Sequence, residues 1–108
     1  MTDKLVVLCT CGSPDEAEKI ARHLVEEQLA ACVNVVPAIR SIYRWQGKVE
    51  DAAEVLLIIK TRQDLLESIR TEIAAMHSYE VPEIIALPIV AGSDPYLGWL
   101  DGNLRMPS

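Results

Sequence analysis

Phenylalanine is absent from this chain, and three tyrosines and two tryptophans are its only aromatic residues. Half of the residues are hydrophobic, so the core is expected to be aliphatic. Basic residues are also scarce, because 10 Lys and Arg stand against 16 Asp and Glu, which gives a net charge of −6. Nucleic-acid binding relies on neutralising phosphates with basic side chains. The sequence therefore predicts no nucleic-acid partner.

Long apolar runs are missing as well. The apolar stretch near the N-terminus ends at Thr10, too early for a signal peptide, and no run reaches the length that spans a bilayer. The three cysteines are an odd number, which argues against a disulfide framework. We therefore expect a cytoplasmic protein with reduced thiols and no membrane association.

Secondary structure follows from local patterns. Lys4–Cys11 is a strand-like apolar run, and Ser13, Pro14 and Glu16 form a helix start with a capping box. Gln46-Gly47 predicts the tip of a long hairpin. A second helix is predicted over 61–76 with Thr61 and Asp64 as its capping pair, then a strand over 83–90, then a short helix that starts near Ser93.

This order predicts an α+β fold, the ferredoxin-like βαββαβ with an antiparallel sheet, a long β2–β3 hairpin and a short C-terminal helix, as a single domain over residues 1–108. In that fold the first and third strands are central. Pro37 and Pro88 fall on the other two strands, which is consistent with edge positions where a missing N–H is tolerated.

The central strands predict self-association. Val55–Ile59 and Leu5–Leu8 are apolar at every position, although a sheet covered on one face should alternate apolar and polar residues. Each hairpin arm of about a dozen residues is about 40 Å long, which exceeds the width of so small a domain. We expect the hairpin to dock on a neighbouring subunit; a hairpin that folds back at Pro37 is the alternative. The interface candidates are Tyr43, Trp45 and Trp99.

Candidate metal ligands are few. They are Cys9 on the first strand, and Met76 and His77 at the end of the second helix; Cys11 shares a strand face with Cys9. Thiolate, thioether and imidazole donors suit copper, especially Cu(I). Each residue also has a structural interpretation: the cysteines, with Cys32, as buried small apolar residues, and His77 as a cation at a helix C-terminus. If the first strand and the second helix end at opposite ends of the monomer, Cys9 and His77 do not meet within one chain, and they meet across a subunit interface or not at all.

Catalysis has no support in the sequence. It contains no paired nucleophile and base, no phosphate-binding glycine loop and no zinc motif. Glu80 and Glu83 are candidates for hard-cation ligands or acid–base groups, with solvated loop carboxylates as the alternative. We therefore expect a binding protein rather than an enzyme.

Several segments together resemble the CutA divalent-cation tolerance family, namely AACVNVVPAIRSIYRWQGKVE, EVLLIIKT, HSYEVPEIIALPI and YLGWL. The resemblance implies a homotrimer that binds copper or other divalent cations through Cys9 and His77. Met76 replaces a family histidine, and Ser78 replaces a proline. The fold is also similar to the PII signalling architecture, which implies an alternative: a regulatory module that binds a small ligand at subunit clefts through Arg40, Arg44 or Lys60.

Overall fold

A computed structural model describes residues 1–107 of the chain. The strands are β1 (Lys4–Cys11), β2 (Cys32–Trp45), β3 (Lys48–Arg62) and β4 (Ile85–Pro88). The helices are α1 (Pro14–Glu26), α2 (Leu66–Met76) and α3 (Asp94–Gly102), and a short 3-10 helix, Gln63–Leu65, precedes α2. The predicted ferredoxin-like order of elements is confirmed.

Within residues 1–107 the strands form one antiparallel sheet in the order β2-β3-β1-β4. The central positions of β1 and β3 are therefore confirmed. Pro37 and Pro88 lie on the edge strands, as expected. Pro37 falls between Val36 and Ile39, where the β2–β3 register shifts, because proline has no N–H to give to the ladder.

The hydrophobic core lies between the sheet and the helices α1 and α2. Alternate residues of β1 point into it, and Ile20, Leu24, Ile69 and Ile73 from the helices have no exposed surface. Helix α1 begins as predicted, with the Ser13 side chain accepting from the Glu16 backbone N–H and Pro14 in the first turn. None of the helices in residues 1–107 combines the length and apolar character that crossing a bilayer requires.

The opposite side of the sheet, which we call the helix-free face, remains apolar. Leu8 pairs with Ile58 and with Ile85, and Val6 pairs with Leu87. Ile85 and Leu87 are 51% and 50% exposed in the single chain. Apolar side chains on this face explain why β1 and β3 do not alternate with polar residues.

The β2–β3 hairpin gives the molecule its length. Its tip is a two-residue turn in which Gln46 and Gly47 have φ values of 50° and 80°, and glycine tolerates this left-handed region without strain. The principal extents are 44 × 25 × 21 Å, so the hairpin does not fold back on its own sheet. The alternative of a hairpin folded back at Pro37 is therefore wrong.

The predicted start of the second helix is wrong. Thr61 and Arg62 stay in β3 because they pair with Leu5 and Lys4 of β1. The Thr61 hydroxyl donates to the Leu29 carbonyl at 2.7 Å, and Asp64 accepts from Arg62 at 2.7 Å instead of capping a helix. Long-range strand pairing therefore outweighs the local capping pattern.

Strand β4 is shorter than the predicted 83–90. In its register with β1, Leu8 pairs with Ile85, so Thr10 would be the partner of Glu83. The Thr10 carbonyl instead accepts a hydrogen bond from the His77 side chain at 2.7 Å. Because that acceptor is occupied, the ladder stops before Glu83 and residues 77–84 form a loop, here called loop 77–84.

Candidate functional site

Cys9 and Cys11 lie next to each other on the helix-facing side of β1. The strand alternation points both side chains into the core, and both have 0% exposed surface. Their partners on β3 are Leu57 and Val55. The expectation that the two cysteines share a face is confirmed, as is their burial. Cys32 differs: it is only half-buried, because its position opposite Lys60 puts it on the helix-free face.

His77 stands immediately after α2 and is 9% exposed. Its backbone N–H donates to Ile73, which closes the last turn of the helix. On the ring, Nδ1 accepts from the Tyr79 backbone N–H at 3.0 Å, while Nε2 lies 2.7 Å from the Thr10 carbonyl. A backbone N–H can only donate and a carbonyl can only accept, so the ring is the neutral tautomer with its proton on Nε2.

These three residues form one group, the cysteine–histidine cluster. Their potential ligand atoms all lie within 4.8 Å of one another, and all three residues are buried. Two thiolates on one tetrahedral metal ion stand about 3.8 Å apart, given metal–sulfur bonds of about 2.3 Å. The 4.8 Å limit in the cluster therefore exceeds the separation in a metal site by only about 1 Å.

The alternative in which Cys9 and His77 lie at opposite ends of the monomer is wrong. Strand β3 runs antiparallel to β1, and α2 reverses direction again after the 3-10 helix. Helix α2 therefore runs in the same direction as β1, and the C-termini of both elements lie at the same end of the sheet. One chain thus brings Cys9 and His77 together without a second subunit.

Cys11 is the partner that sequence reasoning left out of the ligand set. The sequence did indicate that Cys11 lies beside Cys9, because side chains two residues apart on a strand point to the same face. Interaction with the neighbouring Cys11 thiol, followed by burial, raises the pKa of Cys9, whereas interaction with the Cys9 thiol lowers the pKa of Cys11. The interaction between the two thiols thus favours the thiolate form of one member of the pair.

Met76, the third ligand candidate, is half-buried and packs against the core cluster that contains both cysteines. Its thioether is a weaker donor than either thiol. Met76 therefore lies next to the core that contains the two cysteines, whereas Cys11 belongs to the cysteine–histidine cluster itself.

Loop 77–84 is fastened to the start of α1. The Glu16 carboxylate accepts from the Ser78 backbone N–H at 2.5 Å and from the Ser78 hydroxyl at 3.1 Å. Glu16 therefore tethers a distant loop instead of completing the predicted reciprocal capping box. A proline at position 78 would have neither donor, so these two bonds depend on Ser78.

Tyr79 covers the other side of His77. The two rings have centroids 4.7 Å apart and are tilted by 51°. The Tyr79 hydroxyl donates to the Glu54 carboxylate at 2.7 Å, and Glu54 itself is 8% exposed. Burial, followed by this hydrogen bond, raises the pKa of Tyr79.

A cleft of about 670 Å³ opens beside Tyr79, between the hairpin and loop 77–84. It contains aromatic and acidic side chains but no basic residue among those that line it, so we call it the acidic cleft. Its lining residues are Thr10, Ser41, Ile42, Tyr43, Trp45, Glu54, Tyr79, Glu80, Val81 and Glu83. The structure thus brings Glu80 and Glu83 together with Glu54, which the sequence did not connect to them.

The three interface candidates are all accessible in the single chain. Tyr43 is 43% and Trp45 is 45% exposed, and both lie near the end of the hairpin. Trp99 is 48% exposed on α3, where its ring lies 5.6 Å from that of Tyr96. Half-exposed aromatic side chains are typical of protein–protein interfaces.

Both the sequence and the structure match known proteins. Residues 5–103 match the family model described as CutA1 divalent ion tolerance protein. A relative from Thermus thermophilus, the divalent-cation tolerance protein CutA, is 51% identical over 98 residues, which cover 91% of this chain and 95% of that protein. A solved structure of the divalent cation tolerance protein from the same organism has a TM-score of 0.92 at 49% identity, covering 94% of this chain and 99% of that one.

A plant relative is longer than this chain. The chloroplastic CutA protein of Arabidopsis thaliana is 52% identical over 101 residues, which cover 94% of this chain but 56% of that protein. The chain therefore spans just over half of the length of that relative. The similarity covers the sheet, α1, α2 and loop 77–84.

Proposed function

The chain belongs to the CutA1 divalent ion tolerance family, and we propose that it binds copper as Cu(I) through Cys9, Cys11 and His77. The observation that carries this proposal is the buried cysteine–histidine cluster, whose ligand atoms lie within 4.8 Å of one another. Two thiols and an imidazole form a soft donor set, which favours Cu(I) among the cations that proteins bind.

The donor set also argues for copper over zinc. Structural zinc sites use four ligands, whereas the described part of the chain gathers three such groups here. Other divalent cations are the alternative ligands. Metal binding would displace the thiol protons and one hydrogen bond of His77, either that of Nδ1 to Tyr79 or that of Nε2 to Thr10. The role is binding rather than catalysis.

We further propose that the working form is a homotrimer. The helix-free face is apolar, and its edge residues Ile85 and Leu87 are half exposed in the single chain. Covering such a face stabilises a protein by about 25 cal/mol for each Å² of apolar surface that is removed from water. The projecting hairpin, with Tyr43 and Trp45 near its end, offers a second contact to a neighbouring subunit.

The proposed location is the cytoplasm, where thiols stay reduced and available to Cu(I). The word chloroplastic in the name of the Arabidopsis relative describes that longer protein. A location experiment with the full natural chain would decide the compartment of this one.

The alternative function, a PII-like module that binds a small anionic ligand, has weaker support. Arg40 is paired with Asp51, Arg44 donates to the Gly47 carbonyl, and Lys60 contacts Asn34. The acidic cleft, in contrast, would repel an anion. A thermal-shift comparison of metabolites with metals would separate the two functions, since a ligand stabilises the state that it binds.

The direct test is a competition titration of reduced protein with Cu(I) held by a chromogenic chelator. The parent should take up Cu(I) tightly, whereas Cys9→Ser and Cys11→Ser should each weaken binding by at least about tenfold. Cys32→Ser is the matched control, because Cys32 lies on the opposite face of the sheet and should leave the affinity unchanged. Equal affinity of all four proteins would refute the proposed site.

A further inference from the structure

The cysteine–histidine cluster is closed to solvent. Cys9 and Cys11 have 0% exposed surface and His77 has 9%. A cation can reach these groups only through a part of the protein that moves. On the helix side, the two cysteines belong to the main core together with fully buried residues such as Ile20, Leu57 and Ile73, whose displacement would disrupt the fold.

The acidic cleft approaches the cluster from the other direction. Thr10 lies between the two cysteines in the strand, lines the cleft, and accepts the His77 hydrogen bond through its carbonyl. Tyr79 also lines the cleft, and its ring packs on the His77 ring at 4.7 Å between centroids. The Tyr79 ring therefore separates the cleft from the histidine of the cluster.

Tyr79 is suited to move. It is 37% exposed in the single chain, and its hydroxyl is held by Glu54 at 2.7 Å. Gly12 leaves room for the ring, because a Cβ at that position would stand 2.9 Å from the Tyr79 hydroxyl oxygen. Rotation of one half-exposed side chain costs far less than opening the core.

Charge favours cations along this path. Three carboxylates, those of Glu54, Glu80 and Glu83, line the cleft, and none of its ten lining residues is basic. A concave surface with charges of one sign raises the local concentration of the opposite ion and its rate of association by about 10- to 1,000-fold. Anions should be excluded to a comparable degree.

We propose that the acidic cleft is the route by which cations reach the cysteine–histidine cluster, that Tyr79 is its movable wall, and that the cleft stays open beside Tyr79 in the trimer although Tyr43 and Trp45, at its hairpin end, contact the neighbouring subunit. This inference rests on the proposed metal binding for its purpose. The route itself can be tested without a metal, because the buried thiols report which reagents arrive.

The first experiment measures thiol modification in a Cys32→Ser background. A small methanethiosulfonate with a quaternary ammonium group is compared with its sulfonate counterpart, and mass spectrometry follows modification of Cys9 and Cys11. The cationic reagent should react about tenfold faster or more. The ratio of the two reaction rates at Cys32 in the parent is the reference. It reports the preference for cations that comes from the negative charge of the chain as a whole.

Variants then locate the path. Glu80→Gln with Glu83→Gln should lower the cation preference several-fold, whereas Glu26→Gln with Glu67→Gln, which removes two exposed carboxylates elsewhere, should not.

Tyr79→Phe loses the bond to Glu54 and should speed modification by both reagents. Gly12→Ala, which pushes the Tyr79 ring aside, should do the same if Tyr79→Phe folds poorly. A cation preference equal to that of Cys32, or rates insensitive to these variants, would overturn the proposal.

The second experiment measures the rate of Cu(I) transfer from a chelator and the final affinity on the same samples. The Glu80→Gln, Glu83→Gln variant should slow uptake and lose its dependence on salt, while the affinity changes little. If the parent binds no Cu(I) but the thiols show charge-selective modification, the metal function fails and the route stands. If Cu(I) binds at rates indifferent to the cleft variants, the route fails and the metal function stands.

Discussion

The imidazole Nε2 of His77 lies 2.7 Å from the carbonyl oxygen of Thr10, where a longer β4 would have supplied its next backbone N–H. One side chain thus ends a strand, fixes its own tautomer and lies beside two buried thiols. The same contact joins the fold to the candidate site, since a metal bound at Nε2 would free a backbone acceptor of the sheet.

His77→Ala should destabilise the protein even without metal. It leaves the Thr10 carbonyl and the Tyr79 N–H without their partner, which costs about 2–3 kcal/mol. Urea unfolding at fixed protein concentration would measure this. His23→Ala is the control: His23 pairs with Glu72 on a partly exposed surface, and its loss should cost less than about 1 kcal/mol. Equal effects of both variants would contradict the structural role of His77.

Gly12 and Tyr79 should be energetically coupled. Gly12→Ala should cost about 1–3 kcal/mol, because the new methyl group stands 2.9 Å from the Tyr79 hydroxyl oxygen. With Tyr79→Phe in place, the same substitution should cost about 1 kcal/mol less, since the nearest remaining ring atom is 3.3 Å away. A double-mutant cycle measures the difference. Strict additivity of the two changes in the free energy of unfolding would show that the two positions do not interact.

Glu16 should protect the backbone of loop 77–84 from exchange. Glu16→Ala removes the acceptor of the Ser78 N–H, so that amide should exchange at least about fivefold faster, which corresponds to a hydrogen bond of about 1 kcal/mol. Glu18→Ala, on the exposed side of α1 where Glu18 pairs with Arg22, should leave the Ser78 amide unchanged. An unchanged rate in Glu16→Ala would rule out the tether.

Asp101 should give stability an acid-sensitive component. Its carboxylate accepts from Lys4 and Arg62, and the hydrogen bond from Lys4, followed by that from Arg62, lowers its pKa below the ordinary 3.8. A lowered pKa stabilises the folded state above the ordinary value, and the benefit disappears as pH falls through the folded value. Asp101→Asn should therefore lower the Tm at pH 7, and the difference from the parent should shrink below pH 3.8. Glu67→Gln controls for the loss of one carboxylate; a gap independent of pH would contradict the linkage.

The helix-free face should control assembly. Ile58→Glu places a charge at the centre of this face, so the variant should dissociate towards the 12.0 kDa monomer, while the parent has three times that mass. Multi-angle light scattering distinguishes the two. Met106→Glu changes an apolar residue that is already 80% exposed and should leave the parent assembly intact. A monomeric parent at micromolar concentration would end the trimer proposal.

Local signals were enough for much of the fold. The Ser13-Pro14 start of α1, the Gln46-Gly47 turn and the prolines on both edge strands follow from backbone chemistry at single positions, and each prediction is confirmed. The burial of Cys9 and Cys11 on one face follows from the two-residue period of a strand. Such features need no knowledge of distant residues.

The remaining features of the fold and of the candidate site depend on contacts between residues that are far apart in the chain. Thr61 resembled a helix cap but lies in β3, because β1 offers it a strand partner and Leu29 accepts its hydroxyl proton. His77 joins the cysteines, and Glu16 joins Ser78, although 62 or more residues separate each pair along the chain. The sequence by itself thus determined which elements form, through rules that act within a few residues. Only the tertiary structure decided which side chains meet around the candidate site, because that depends on the direction in which each element crosses the sheet.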